Sequence, residues 1–302
     1  MEFQFTSYES HRRIRHDSTM VGTWRNENTV DFWRHERMYR QVMPLLTAYP
    51  NAKWLTVGDG RGGTDAHYLS RFGANVVASD INETCLKEAK ENGFITDYKV
   101  ENAENLSFPD RQFDFVLCKE SYHHFPRPML ALYEMLRVAD MGVILIEPND
   151  QAVLEPYRTG VPSSAYWFLF SLKQWLKKKI GRQNASVQHR YEALGNYVYA
   201  VSRREIEKVS LGLNLDAMAT KGMNDLYLEG VEYEDVSDNG PLFQQVKNHI
   251  EKLDKMCSHR PERYGLFVTI IFKKLPSAGC LDLLNLNQFE VTVLEKNPYV
   301  KS

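Results

Sequence analysis

The chain has 302 residues, 43% hydrophobic and 25% charged, which is ordinary globular usage and excludes a disordered polypeptide. Its 37 Lys and Arg stand against 39 Asp and Glu, a net charge of -2, so no global positive field exists to hold a phosphate backbone and nucleic acid is not an expected partner. Cys85, Cys118, Cys257 and Cys280 are scattered without a CxxC pair, which argues against a zinc knuckle or a disulfide framework and fits a reducing compartment with no metal site. The segment from Met1 to Arg15 lacks the apolar run of a secretory signal, and no later stretch reaches the roughly 18 apolar residues of a membrane span. The expected location is the cytoplasm.

From Thr29, the apolar residues Phe32, Met38, Val42 and Leu45 recur at helical spacing, and Pro50 helps to end that helix. Between Lys53 and Pro148, short β-rich runs alternate with helical segments. Trp54–Val57, Val76–Ser79, Phe113–Cys118 and Val143–Ile146 read as strands. Helices are expected after Gly63, over Glu83–Asn92 and over Met129–Val138. That alternation predicts parallel strands joined by helical crossovers, an open, doubly wound α/β sheet. From about Gln151 the character shifts to aromatics and lysines without alternation, which reads as an insertion. Asn196–Val201 reads as a strand that leads into Ser202-Arg203-Arg204-Glu205, a capping-box spacing ahead of a helix over Arg203–Leu211 that Gly212 breaks. Leu215–Thr220 and Tyr264–Phe272 read as late strands separated by a long polar and helical excursion, an arrangement that suggests an antiparallel addition to the sheet edge. The last 25 or so residues carry no assignment from pattern alone.

The informative segment is Trp54-Leu55-Thr56-Val57-Gly58-Asp59-Gly60-Arg61-Gly62-Gly63, an apolar strand that runs into closely spaced glycines and then a helix. Glycines there let backbone amides approach a ligand and let the helix pack tightly on the strand. About 20 residues on, Asp80 closes the next apolar run, where a doubly wound sheet places a carboxylate to accept from a ribose diol.

The glycine spacing is GxGxG, and here the sequence resembles the class I S-adenosylmethionine-dependent methyltransferases, over roughly Trp54 to Pro148. Gly58, Gly60 and Gly62 match the cofactor loop, and Asp80, with Ile81 after it, matches the acidic ribose position. Asn102-Ala103-Glu104-Asn105-Leu106-Ser107-Phe108 is similar to the adenine-binding segment. Phe113-Asp114-Phe115-Val116 resembles the fourth strand, and His123-His124-Phe125 the loop after it. The resemblance implies a Rossmann-like sheet with an antiparallel edge strand, S-adenosylmethionine as cofactor and a small-molecule acceptor. Two positions depart from the pattern. Thr56 stands where an acidic residue usually contacts the cofactor ammonium, which leaves Asp59 as a partial replacement, and Asn102 stands where Asp is usual but keeps an acceptor oxygen for the adenine amino group.

An oxygen or nitrogen acceptor needs a group to take its proton, and His123, His124 and Glu120 stand beyond the fourth strand, where the resemblance places the acceptor. Either histidine can instead hold the loop. Lys119 and Glu120 read as cofactor or substrate contacts, or as an internal ion pair. The insertion carries Tyr166-Trp167-Phe168-Leu169-Phe170 and an apolar stripe through Phe168, Leu172, Trp175 or Leu176, and Ile180 edged by lysines, open to three readings: a lid over the acceptor, a surface helix, or peripheral membrane contact through 166–182. Tyr191, Tyr197 and Tyr199 are candidates for the same cavity, and Tyr8, Arg12, Arg13, Trp24 and Arg25 for a cover over the cofactor carboxylate.

The expected organisation is an N-terminal helical extension (1–50), a cofactor-binding core (51–150), an aromatic insertion acting as a cap (151–195), the C-terminal part of the sheet (196–275) and a tail (276–302). The expected function is methyl transfer to a small or medium-sized metabolite, with oxygen the preferred acceptor atom. A non-catalytic protein that binds or senses the cofactor is the alternative. An NAD-dependent oxidoreductase is less favoured, because it calls for GxGxxG spacing.

Overall fold

A computed structural model describes residues 6–14, 18–150, 197–259 and 263–299. The elements in chain order are α1 (Thr6–Arg13), α2 (Ser18–Trp24), α3 (Val30–Tyr39), α4 (Met43–Ala48), β1 (Lys53–Val57), α5 (Thr64–Arg71), β2 (Asn75–Asp80), α6 (Glu83–Glu91), β3 (Tyr98–Val100), β4 (Phe113–Lys119), α7 (Pro128–Val138), β5 (Ala139–Pro148), α8 (Arg203–Gly212), β6 (Ala217–Met223), α9 (Pro241–Cys257), β7 (Leu266–Phe272), α10 (Ala278–Leu286) and β8 (Glu290–Val293). Local chemistry sets several helix starts. The Thr29 hydroxyl accepts from Phe32 N at 3.1 Å ahead of α3, Asn82 Oδ1 accepts from Thr84 N at 3.0 Å ahead of α6, and Pro128 opens α7 where no amide partner is needed. At α8, Ser202 Oγ accepts from Glu205 N at 3.2 Å while the Glu205 carboxylate hydrogen-bonds the Ser202 amide, a reciprocal capping box.

The strands form one eight-stranded sheet in the order β3-β2-β1-β4-β5-β7-β6-β8. β3, β2, β1, β4 and β5 pair in parallel, and β7, β6 and β8 extend the sheet through antiparallel pairings. The sheet is therefore the mostly parallel, doubly wound one expected, closed at one side by the antiparallel edge strand β8. Alternate residues of β1, β4 and β5 feed two cores. Trp54, Phe115, Leu117, Ile144 and Ile146 face α4, α5, α6 and α10, whereas Leu55, Val57, Val116, Cys118, Val143 and Leu145 face α7 and α8. A third, smaller cluster joins Val30 of α3 to Val231, Phe243, Val246 and Ile250, with the Trp33 and Phe243 rings edge to face at 5.1 Å.

The strand expected over Asn196–Val201 does not form among the described residues 197–201; Val201 makes a single bridge to Asn149. β7 flanks β5 as far as Pro148↔Leu266 and β4 as far as Lys119↔Ile146, so only the last residues past β4 are open, and Val201 pairs there, its N donating to Pro148 O at 2.8 Å while its carbonyl accepts from Asp150 N at 3.0 Å. The stretch without assignment carries α10 and β8, and β8 pairs with β6 through Ala217↔Val293 and Thr220↔Glu290. The insertion readings on Phe168, Leu172, Trp175, Ile180, Tyr191 and residues 166–182 fall outside the described residues.

Phe115 sits at the centre of the first core, fully buried, with its ring 4.9 Å from Trp54 and 5.4 Å from Tyr49. Phe115→Ala is expected to lower the unfolding free energy by about 3–5 kcal/mol, through lost transfer energy plus a cavity. Denaturant titration checks this as a fall in midpoint at unchanged slope.

Candidate functional site

A cavity of about 420 Å³ opens at the carboxyl ends of β1, β2 and β4, where an open α/β sheet places its crevice. Its floor is the loop after β1 (Val57, Gly58, Gly60, Arg61), the end of β2 (Ser79, Asp80, Ile81, Asn82) and the turn after β3 (Glu101, Asn102, Ala103). One wall is the loop after β4, with Glu120, Ser121, His123, His124 and Phe125, and the roof is Tyr8, His11 and Ile14 with Trp24. Asn82 Nδ2 fastens that roof by donating to the carbonyls of Ile14 at 2.7 Å and His11 at 3.3 Å.

Two glycines make the floor possible. Gly58 adopts φ +77°, and a Cβ there would collide with Ser121; its carbonyl accepts from Ser121 Oγ at 2.7 Å. At Gly60 a Cβ would lie 2.9 Å from Asp80 Oδ2, so only glycine lets that carboxylate stand over the loop. Asp80 Oδ1 accepts from Asn82 N at 2.7 Å. Burial raises the Asp80 pKa to about 6 against the opposing effect of the Asn82 and Ile81 amides and of His11.

Of the residues singled out from the sequence, Gly58, Gly60, Asp80, Ile81, Asn102, Ala103, Glu120, His123 and His124 line this cavity, as do Tyr8 and Trp24. Asp59, Gly62, Glu104 and Lys119 do not, and each has another task. Asp59 is 2% exposed: it accepts from the amides of Asp65 at 3.1 Å and Ala66 at 2.9 Å and from Thr56 Oγ1 at 2.8 Å, so it caps α5. Burial, then the charge of Asp65, push its pKa up to about 7. Gly62, at φ +70°, continues the turn beside Cys85. Glu104 accepts from Arg127 N at 2.6 Å and Nε at 2.5 Å and so holds the chain ahead of α7. Lys119 is buried, with its ammonium 3.3 Å from Asp65, 3.2 Å from His35 Nδ1 and 5.1 Å from the centre of the Tyr39 ring, the internal ion-pair role. The Asn102 side-chain oxygen accepts from Glu104 N at 3.0 Å, which turns it into its own loop. Tyr197 and Tyr199 are exposed and lie outside the cavity lining.

Sequence reasoning missed Glu147 and His11. Glu147 ends the apolar run of β5 and is fully buried; its Oε1 accepts from Ser121 N and Tyr122 N, both at 2.9 Å, and its Oε2 lies 2.6 Å from His123 Nδ1. A carboxylate closing an unbroken apolar strand at the ligand end of the sheet was the available signal. Burial lowers the His123 pKa, and the charge and hydrogen bond of Glu147 more than offset it, so the net shift is upward. His124, whose ring lies 3.9 Å from that of His123 and 5.7 Å from that of His11, is pushed down to about 3 by burial and by those two neighbours.

The comparisons with known proteins agree with this geometry. Residues 55–146 match the family model described as "Methyltransferase domain". The chain is 31% identical over 153 residues to the ubiquinone/menaquinone biosynthesis C-methyltransferase UbiE of Bordetella avium, covering 48% of this chain and 57% of that protein. It is 34% identical over 105 residues to the 2-methyl-6-phytyl-1,4-hydroquinone methyltransferase of Synechocystis sp., covering 34% and 33%. It is 35% identical over 103 residues to the ubiquinone biosynthesis O-methyltransferase of Hahella chejuensis, covering 32% and 43%. The matched stretch is a methyltransferase domain. The matches span from a third to just over half of the length of these three relatives. Among the described residues no helix is long and apolar enough to cross a membrane, and no cluster of His, Cys, Asp and Glu is arranged to hold a metal.

The residues present fit an adenosyl ligand. The space that a Cβ at Gly60 would take leaves Asp80 facing the cavity as an acceptor, and the partly exposed Arg61 lines the same cavity.

The depressed pKa of His124 makes a stability prediction. The unfolded ring takes a proton near pH 6.5, whereas the folded ring stays neutral down to about pH 3. Its contribution is therefore fully present above pH 6.5 and is lost as the pH falls toward 3. His124→Gln is expected to flatten the acid side of the stability profile, read as the wild-type minus variant difference in denaturant unfolding across that pH window.

Proposed function

We propose that this chain transfers the methyl group of S-adenosylmethionine to a ring-hydroxylated small molecule, with His123 as the base that takes the acceptor proton. The observation that carries the reading is the Glu147–His123 pair at 2.6 Å, set on the same cavity as Asp80 and the glycine loop. The cofactor supplies an electrophilic methyl carbon on a good leaving group, so positioning and proton removal remain for the protein. Glu147 occupies Nδ1 of His123, which leaves Nε2 as the nitrogen at which the ring takes up a proton. An upward-shifted imidazole is suited to that work, because a base is most effective when its pKa lies near ambient pH. His124, held neutral, adds no competing positive charge beside it.

Ionising a ring hydroxyl activates both its oxygen and the carbon beside it, so one base serves O- and C-transfer alike. The names of the relatives, a C-methyltransferase of quinone biosynthesis and a hydroquinone methyltransferase, weigh toward carbon rather than the oxygen that the sequence reading preferred; an O-methyltransferase also stands among them. In this reading, residues 51–150 are the cofactor-binding core, and the cavity residues Gly58, Gly60, Asp80, Ile81, Asn102 and Ala103 hold the adenosyl end.

His123→Ala is expected to lower kcat by about 10²-fold or more while the affinity for S-adenosylhomocysteine survives. Glu147→Gln keeps an oxygen for the Ser121 and Tyr122 amides but removes the charge. The acid limb of its pH–rate profile is therefore expected to move to lower pH, since Glu147 is what raises the His123 pKa. Stopped-time assays with hydroquinone acceptors read both effects. Unchanged turnover in His123→Ala would remove the base from the reading.

A further inference from the structure

In this chain the glycine-loop strand and turn offer no acid that is available to a ligand ammonium. Position 56 is a threonine whose hydroxyl donates to Asp59 at 2.8 Å, and the Asp59 carboxylate is consumed in capping α5. An acid does border the cavity from the neighbouring strand. Glu120, the residue after β4, adopts φ +50°, a left-handed conformation that non-glycine residues rarely hold, and its amide donates to Ile146 O at 2.9 Å. Its side chain is 30% exposed, and its nearest polar neighbours are loose: His35 Nδ1 at 3.5 Å and the Lys119 ammonium at 3.8 Å. Lys119 itself is engaged by Asp65, so the Glu120 carboxylate retains acceptor capacity toward the cavity.

The matching cation is Arg61. Its guanidinium donates to Asp31 Oδ2 at 2.6 Å and contacts His35 Nε2, and it lies 5.3 Å from the centre of the Trp24 ring. Its Nε remains buried without a partner among the described residues. Arg61 and Glu120 thus face one cavity from opposite nitrogens of a single buried imidazole, a charged pair separated by one ring width and not joined to each other. Burial, and the neighbouring Arg61, Lys119 and Arg34 charges, drive the His35 pKa well below its ordinary value, so the spacer is neutral and cancels neither charge. A ligand that satisfies both must carry a cationic donor and an anionic acceptor close together, as the ammonium and carboxylate on one carbon of an α-amino acid are. A plain nucleoside or a phosphate satisfies at most one of them.

We propose that Glu120 and Arg61 form the seat for the α-amino-acid end of the adenosyl ligand, Glu120 accepting from its ammonium and Arg61 donating to its carboxylate, with His35 fixing their separation. The proposal rests on the methyl-transfer reading above and moves the acidic contact from the first strand to the end of the fourth.

The test is calorimetric titration of the full chain with two ligands. S-adenosylhomocysteine carries the amino-acid end, and 5′-methylthioadenosine carries the same nucleoside and thioether without it. Glu120→Gln and Arg61→Gln are each expected to weaken S-adenosylhomocysteine by about 10-fold or more, the scale of one lost charge-assisted hydrogen bond, while 5′-methylthioadenosine stays within about twofold. Retained binding of the second ligand also reports that the variant is folded. An S-adenosylhomocysteine analogue that lacks only the amino group should bind wild type weakly and lose little more in Glu120→Gln. Equal losses for both ligands, or no loss for either, overturns the seat while leaving the methyl-transfer reading in place. A wild-type chain that binds neither ligand overturns that reading, and the seat with it.

Discussion

One buried carboxylate organises the ligand side of the sheet. Glu147 has no exposed surface, and a charge placed there is tolerable only if donors surround it. They do: the two consecutive amides of Ser121 and Tyr122 meet one oxygen and the His123 ring meets the other. The loop after β4 therefore cannot take another path without stranding the charge. Because β5 is clamped between β4 and β7, the carboxylate is as fixed as the centre of the sheet. Preorganisation of this kind allows a base to act without reorganising at the moment of reaction.

That fixed loop in turn shapes the glycine turn. Ser121 sits against Gly58, with its hydroxyl on the Gly58 carbonyl, so the end of β4 and the end of β1 are joined across the crevice. On the far side, a buried ionic network carries α3 over the same ends. Asp31 receives Arg34 at 2.8 Å and Arg61 at 2.6 Å, Arg34 also meets Asp225, and Asp65 receives Lys119 and the Tyr39 hydroxyl. Replacing such a network with apolar side chains often leaves stability unchanged or improves it, so its retention is better explained by the orientation it imposes than by the energy it contributes. It holds Arg61 at the cavity wall, with His35 against its guanidinium.

The parts legible from sequence were those written in local pattern. Strand periodicity at Trp54–Val57, Val76–Ser79 and Phe113–Cys118 marks the parallel sheet, and the glycine spacing with Asp80 marks the cavity floor. What local pattern cannot carry is direction. Asp59 and Asp80 are both acids beside a glycine loop, yet one turns back into a helix start and the other faces the cavity, a difference set by whether Asp65 and Ala66 or Gly60 stands opposite. Lys119 and Glu120 are adjacent, yet Lys119 ends β4 buried among Asp65 and His35 while Glu120, turned by its φ of +50°, lines the cavity. Glu147 was one acid among 39, and its meaning came only when β5 aligned beside β4. Short elements were also invisible. β3 and β8 have three and four residues, and the Val201 segment, although β-rich, meets the sheet only by one bridge at the end of β5.

The pairing of α10 with α4 joins distant parts of the chain. Cys280, Leu284 and Phe289 fill the same core as Leu45, Leu46 and Trp54, Ser277 N donates to the Tyr49 hydroxyl at 2.9 Å, and β8 completes the sheet against β6. During synthesis, therefore, all eight sheet strands exist only once residue 293 is made, and until then the flank of α4 lacks the part of its cover that α10 supplies. Such long-range closure makes for slow, late-stage maturation, and a nascent chain stalled anywhere upstream would present that flank to chaperones.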